Sequence, residues 1–389
     1  VKQPELKDYL QQQKNDHRYR QRLVVESPQG VDLSIGGKKY LNFCSNDYLG
    51  LASHPHVIEA LINGARKYGA GSGASHLING HSLAHHQLEE ELAEFVGRPR
   101  ALLFSTGYMA NLGVISALLG KGDVVFEDRL NHASLLDGGL LSQARLQRFQ
   151  HNDLRDLEIK LGDSKAKTKL ICTDGVFSMD GDVADVKQLA MLARQHEAWL
   201  MVDDAHGLGV VGKNGRGILE SAGVAVEDVP VLVGTLGKAF GTFGAFVAGD
   251  DDLIEMLIQR ARSYVYTTAL PPAIAEATRI SIKLMDGEAW RRDKLADNIS
   301  YFKQQINKLD LPDTNSSTAI QPIMIGEVEA AMKLSASLKE AGLLVSAIRP
   351  PTVPEGTSRL RITLCAEHSQ QQIDRLISTI SENIVQKQP

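Results

Sequence analysis

From about residue 45 to 285, short uninterrupted apolar runs alternate with amphipathic stretches, and this rhythm restricts the fold more than any other property of the chain. Ala101–Phe104, Val124–Phe126, Lys169–Thr173, Trp199–Asp203, Val231–Gly234 and Ala245–Ala248 read as buried strands. Between them, Leu83–Val96 sets Leu88, Leu92, Phe95 and Val96 on one helical face, and Val186–His196 does the same with Val186, Leu189, Ala190 and Ala193. Strands separated by helices imply βαβ units with right-handed crossovers: an α/β fold around a mostly parallel sheet. Ligands of such sheets sit beyond the C-terminal ends of the strands, so chemistry is sought just after each apolar run.

Near residue 286 the character changes. Helical, charged sequence at Trp290–Leu309 leads to a strand at Ala319–Ile325, a helix at Val328–Glu340, and strands at Leu344–Ile348 and Arg359–Leu364. A last helix carries Ile373, Leu376, Ile377, Ile380 and Ile384. The expected organisation is an N-terminal segment, 1–45, packing with a small α+β domain, 286–389, and a large ligand-binding domain, 46–285. The segment Leu6–Gln13 is expected to form a short helix; the basic stretch after it, with Arg18, Arg20 and Arg22, is either a solvated surface or an arm closing over an anion.

Length and charge exclude several classes. A chain of 389 residues has room for two or three domains and a large core. Its net charge of −5 gives no footprint for nucleic acid. Cys44, Cys172 and Cys365 stand far apart with no CxxC pair, which fits neither a disulfide framework nor a zinc ribbon and suits a reducing compartment. No apolar signal core begins the sequence and no run approaches a membrane span, so a cytoplasmic location without membrane attachment is expected.

Three familiar signatures fail on their context. Gly207-Leu-Gly209-Val-Val-Gly212 matches GxGxxG, but turn sequence comes next, where a dinucleotide site needs a helix. Gly237-Lys238 suggests a phosphate-binding loop, but Leu232 occupies the first glycine position and Ala239 replaces the Ser/Thr. His81, His85 and Glu89 share a helical face beside His86, yet nothing completes an HExxH-type site, and no metal is expected.

The residues at the ends of the apolar runs are more informative. Ser105-Thr106-Gly107-Tyr108 opens a helix after the first run, where free N–H groups make an anion cup. Asp203-Asp204-Ala-His206 ends another run, and acids there need a cationic partner. Lys238 comes just after Val231–Gly234, bracketed by Gly237 and Gly241, as a candidate tuned amine. A phosphate cup, an acid and a lysine on one sheet edge suggest pyridoxal 5'-phosphate, whose aldehyde the lysine binds and whose ring nitrogen the acid keeps protonated.

The chain resembles the α-oxoamine synthases, a branch of the fold type I pyridoxal-phosphate enzymes. The likeness runs from Asn42-Phe-Cys-Ser-Asn46-Asp-Tyr-Leu-Gly50 to Arg359-Leu-Arg361-Ile-Thr363, through Asn131-His132-Ala-Ser, Gly175-Val-Phe-Ser178, Asp203-Asp-Ala-His206-Gly, Thr235-Leu-Gly-Lys238 and Ile348-Arg349-Pro-Pro-Thr352. It implies a catalytic set of Lys238, which binds the cofactor and takes the Cα proton, Asp203 facing the pyridinium, His132 stacked on the ring, and His206. His206 and Ser178 would bond near the phenolic oxygen, and Gly107, Tyr108 and Thr235 would hold the phosphate. Thr267 and Thr268 would reach the phosphate from a neighbouring subunit, so a homodimer with shared active sites is implied. Arg361, assisted by Asn46, would pair with the amino-acid carboxylate. Arg20, Arg349, Thr352 and His132 resemble substrate-binding positions. Asp-Ala-His-Gly and Arg-Pro-Pro-Thr-Val-Pro favour the branch that condenses L-alanine with a pimeloyl thioester, of coenzyme A (pimeloyl-CoA) or of acyl carrier protein; glycine C-acetyltransferase is the alternative. His76 departs from the arginine that many relatives carry.

Overall fold

The computed structural model describes residues 3–309, 311–312 and 315–385. Its strands, in chain order, are β1 (Asp32–Ile35), β2 (Lys38–Asn42), β3 (Arg100–Phe104), β4 (Val124–Asp128), β5 (Arg145–Phe149), β6 (Lys169–Asp174), β7 (Trp199–Asp203), β8 (Val231–Thr235), β9 (Ala245–Gly249), β10 (Ile320–Gly326), β11 (Leu343–Leu344), β12 (Ser346–Ile348) and β13 (Ser358–Thr363). The chain divides into two compact units, one made of residues 49–178 and 182–293 and the other of residues 1–48, 179–181 and 294–389.

The larger unit is built on a seven-stranded sheet in the order β3-β9-β8-β7-β6-β4-β5. Alternation along its strands divides the core cleanly. Leu102, Val125, Leu170, Met201, Val233 and Val247 pack on one face, while Val124, Phe126, Ile171, Leu200, Val202 and Leu232 pack on the other. The first face is covered by the helices Gly107–Leu118 and Asp251–Arg260, the second by Leu154–Asp163 and Val186–Gln195. Burial on both faces is why these strands read as continuous apolar runs.

Two strands depart from the expected pattern. β5, at the sheet edge, reads Arg-Leu-Gln-Arg-Phe and is largely solvated, so no apolar run announces it. β9 runs antiparallel to both of its neighbours, β3 and β8. No helix separates β8 from β9; a tight connection spans 236–244, tied by Leu236 N–H to the Gly244 carbonyl (2.9 Å) and Gly241 N–H to the Lys238 carbonyl (2.8 Å). Apart from β9, every strand of the sheet points its C-terminal end to one edge.

The smaller unit holds two three-stranded sheets, β1-β2-β11 and β10-β13-β12. The single strand expected at Leu344–Ile348 is split: β11 pairs parallel with β2, and β12 pairs antiparallel with β13. The segment expected as a short helix at Leu6–Gln13 lies inside a longer one, Gln3–Asn15. No described helix is long and apolar enough to cross a membrane.

Candidate active site

In the larger unit, four strand ends deliver side chains to the common edge. β7 ends on Asp203, β6 on Asp174 directly beside it in register, β3 is followed by Ser105–Gly107, and β8 leads through Thr235 to Lys238. His132 lies just after β4 and caps the helix Ala133–Leu141. Asp203 is buried, and its two oxygens are held separately: Oδ2 accepts from the Asn111 amide (2.6 Å) and Oδ1 from the Ala205 N–H (3.0 Å). The same Asn111 amide donates to the Ser134 hydroxyl (2.8 Å), which lies 2.7 Å from His132 Nδ1. One chain of hydrogen bonds therefore runs from Asp203 through Asn111 and Ser134 to the imidazole. The Asp174 carboxylate accepts the His132 backbone N–H (2.6 Å), which fixes where that residue sits.

The electrostatics place these groups within reach of one another. Withdrawal of the imidazole from water lowers the His132 pKa; Asp203 opposes that shift and the Lys238 ammonium reinforces it. Burial raises the Asp174 carboxyl well above the usual range, and the Asp203 charge adds to it. Burial pushes Asp204 up to about 8, chiefly because its carboxyl points away from water into the fold. Oδ2 of Asp204 accepts the Ile218 N–H (2.7 Å), and a Cβ on Gly217 would lie 1.9 Å from that oxygen. A Cβ on Gly207 would lie 2.1 Å from Oδ1. A glycine of the GxGxxG look-alike thus makes room for a buried carboxyl. Asp203 and Asp204 have opposite environments, a distinction that strand periodicity could not draw.

Gly107 and Tyr108 begin the helix Gly107–Leu118, whose N-cap Thr106 accepts the Met109 N–H on its hydroxyl (3.2 Å) and the Ala110 N–H on its carbonyl (3.0 Å). The Gly107 and Tyr108 N–H groups come before the first intrahelical hydrogen bond, and such helix starts are the places that bind phosphate. The Tyr108 ring stands edge-on to His132, with centroids 6.3 Å apart, and its hydroxyl bonds to Asp137. The Thr235 hydroxyl donates to the Gly244 carbonyl (3.2 Å), and Gly237 N–H donates back to it (3.4 Å), so Thr235 braces the Lys238 turn. His206 is buried and Ser178 half-buried in the same unit. Thr268 pairs with Ser75, and Ala269 N–H donates to the Ala74 carbonyl (3.0 Å), so the 267–268 segment lies along residues 74–75.

The smaller unit gathers the remaining residues into two groups. Arg361 is buried on β13, with Nη2 donating to Asn46 Oδ1 (3.2 Å) and Nη1 3.5 Å from the Thr363 hydroxyl. Arg349 donates to the carbonyls of His17 and Tyr19, the latter at 3.0 Å, which docks the N-terminal arm and brings Arg20 near enough to depress the Arg349 pKa after burial has done so. Thr352 closes a turn onto the Arg349 carbonyl (3.1 Å). The arm is therefore anchored, and Arg20, Arg349 and Thr352 form one cluster.

No sequence motif marks Asn111, Ser134 or Asp174 as organisers of this edge. A buried asparagine in the otherwise apolar helix Gly107–Leu118 is the one available signal.

His151 ties two of these loops together. It lies 2.9 Å from Asp128 at the end of β4 and 2.8 Å from Asp182. Burial alone would lower its pKa, but hydrogen bonds and charge from both carboxylates outweigh that and push it up to about 10. A pKa raised on folding contributes stability that is complete below the unfolded value of about 6.5 and is lost as pH climbs to about 10. The stability gap between the native chain and His151→Gln, followed by urea unfolding, is expected to shrink steadily across that window. A gap that widens with pH would contradict the assignment.

Comparison with known proteins places this geometry. Residues 38–380 match the family model described as aminotransferase class I and II. The chain is 60% identical over 380 residues to the 8-amino-7-oxononanoate synthase of Saccharophagus degradans, covering 97% of this chain and 96% of that one. Among solved structures, 8-amino-7-oxononanoate synthase from Francisella tularensis superposes with a TM-score of 0.79 at 36% identity, covering 90% of this chain and 98% of that one. A serine palmitoyltransferase variant from S. paucimobilis, solved with a bound PLP–myriocin aldimine, superposes with a TM-score of 0.92 at 33% identity, over 97% and 96% of the two chains.

Proposed function

The chain belongs to the aminotransferase class I and II family, and from that premise we propose that it is a pyridoxal-phosphate-dependent acyltransferase with 8-amino-7-oxononanoate synthase activity. The reaction joins L-alanine to a pimeloyl thioester, of coenzyme A or acyl carrier protein, and releases carbon dioxide and the free thiol. The observation that carries it is the convergence of Asp203, His132, Lys238 and the Gly107–Tyr108 helix start on one sheet edge, in a chain 60% identical to a protein of that name.

The residues present fit the cofactor: a helix N-terminus for its phosphate, a buried carboxylate for its ring nitrogen, and an amine for its aldehyde. When bound, pyridoxal 5'-phosphate supplies an electron sink for negative charge at the amino-acid Cα. Lys238 would hold the cofactor before substrate arrives, and its Nζ would take the Cα proton and return one after carbon dioxide leaves. Asn111 and Ala205 hold the Asp203 carboxylate in place, so it would meet the ring nitrogen without reorganising. His132 would stack on the ring, with its tautomer set through Ser134. Ser178 and His206 would bond near the phenolic oxygen, Gly107, Tyr108 and Thr235 would hold the phosphate, and Thr267 and Thr268 would serve the neighbouring copy in a cytoplasmic homodimer.

Arg361, oriented by Asn46, presents its fork to the alanine carboxylate, a geometry lysine cannot reproduce. Arg20 and Arg349, two neighbouring guanidinium groups beside Thr352, suit the free carboxylate of a pimeloyl chain.

Mass spectrometry of the product decides the matter. L-Alanine with a pimeloyl thioester is expected to yield the decarboxylated amino-ketone, and turnover confined to glycine and acetyl-CoA would overturn the proposal.

A further inference from the structure

Away from the Lys238 edge, the turn His76–Gly80 and the start of the helix Leu83–Val96 bring three histidines, His76, His81 and His86, and the half-buried Glu89 around a cavity of about 410 Å³, with His85 packed beside His76 and His81. The helical spacing of His81, His85 and Glu89 suggests one ligand stripe, but the hydrogen bonds rule out its middle member. His85 Nδ1 accepts the Ser82 N–H (3.0 Å), and its Nε2 therefore carries the proton and donates to the Leu270 carbonyl (2.6 Å). Both ring nitrogens are used, and neither lone pair is free for an ion.

The other residues behave differently. His81 Nε2 faces Glu89 Oε2 at 3.9 Å, too far for a hydrogen bond, and donor atoms of His81, His86 and Glu89 all lie within 4.8 Å of one another. Glu89 Oε1 accepts the Leu103 N–H (2.9 Å), which pins the carboxyl and leaves Oε2 directed at His81. His81 Nδ1 lies 3.0 Å from His76 Nδ1. With the shared proton on His81, its Nε2 presents a bare lone pair, and His76, stacked on Tyr264 with centroids 5.0 Å apart, becomes the partner that fixes the tautomer.

We propose that His81, His86 and Glu89 form a binding site for a divalent transition-metal ion of the zinc class, with His76 orienting His81 from behind. Two imidazoles and one carboxylate are the donor set that zinc favours, and its bonds of about 2.0–2.1 Å put tetrahedral ligands about 3.3 Å apart. Closing from the observed separations takes only side-chain rotation, since His86 is mostly solvated. The remaining coordination position opens on the cavity, with Glu90 3.6 Å from His86 Nε2.

Arg100 lines the cavity, but its guanidinium is paired with Glu255 (2.7 Å) and lies 3.8 Å from Asp251. No residue of this set belongs to the proposed catalytic machinery.

The untagged holoenzyme, stripped with a chelator, is dialysed against Zn²⁺ and assayed for bound metal; Co²⁺ serves as the coloured probe. The expected result is one equivalent per chain and visible cobalt ligand-field bands. His86→Ala, at an exposed position that cannot threaten the fold, and Glu89→Gln, which keeps an acceptor for Leu103, should each weaken binding by at least about 10–100-fold, and His76→Ala by about tenfold. Cofactor absorbance verifies that each variant is folded. Substoichiometric zinc in the native chain, or affinity unchanged by His86→Ala, overturns the proposal.

Discussion

Replacing Lys238 with alanine lowers turnover of L-alanine and a pimeloyl thioester by more than about 10³-fold, the loss expected when one group serves both as covalent anchor and as proton carrier. The fold should survive, because Lys238 is half-buried in a turn whose bracing comes from others: Thr235 on Gly244, and Leu236 N–H on the Gly244 carbonyl. The variant should still take up cofactor through the Gly107–Tyr108 helix start and Asp203, but release it on dialysis. Added small amines should restore a fraction of the rate, since they return the missing nitrogen without its tether. Near-native turnover by the alanine variant, with cofactor retained through dialysis, would remove Lys238 from the role.

The largest stability effect is expected at Gly217, well away from that turn in sequence. Gly217 adopts φ +88°, and an added methyl would lie 1.9 Å from Oδ2 of the buried Asp204 carboxyl. Left-handed backbone costs an ordinary residue about 1–2 kcal/mol. Displacing a carboxyl that accepts the Ile218 N–H adds a lost buried hydrogen bond. Together these predict that Gly217→Ala costs about 3–5 kcal/mol in urea unfolding. Combining it with Asp204→Ala separates the two causes: the contact part disappears with the carboxyl and the backbone part stays. A cost below about 1 kcal/mol for Gly217→Ala alone would show that the loop relaxes around the methyl.

Much of the large unit is written in its sequence because its strands are buried on both faces. Their apolar runs end within a residue or two of β3, β6, β7, β8 and β9, and the helix Leu83–Val96 appears at its expected bounds. Edge strands carry no such mark, so β5, with two arginines and a glutamine, passes unnoticed. Strand direction leaves no trace either: Ala245–Ala248 looks the same whether parallel or antiparallel. At the candidate site, the lysine, the acid and the helix start are legible because each stands at the end of a strand. The contacts that organise them are not, since Asn111 and Asp203 meet across 92 positions of sequence. Similarly, the His81/His85/Glu89 spacing is visible in the sequence, but only the hydrogen bonds of His85 reveal that both its ring nitrogens are taken.

The antiparallel course of β9 has a further consequence, for how such an enzyme can diversify. Loops that lead from a strand into a helix can lengthen by letting the helix slide. The 236–244 connection has sheet pairing immediately on both sides, Thr235 opposite Ala245. An inserted residue there has nowhere to go but outward, and would carry the amine with it. If Lys238 supplies the reactive nitrogen, as proposed, that nitrogen is a fixed datum of this chain's chemistry, and substrate range is left to be tuned by walls that other loops supply.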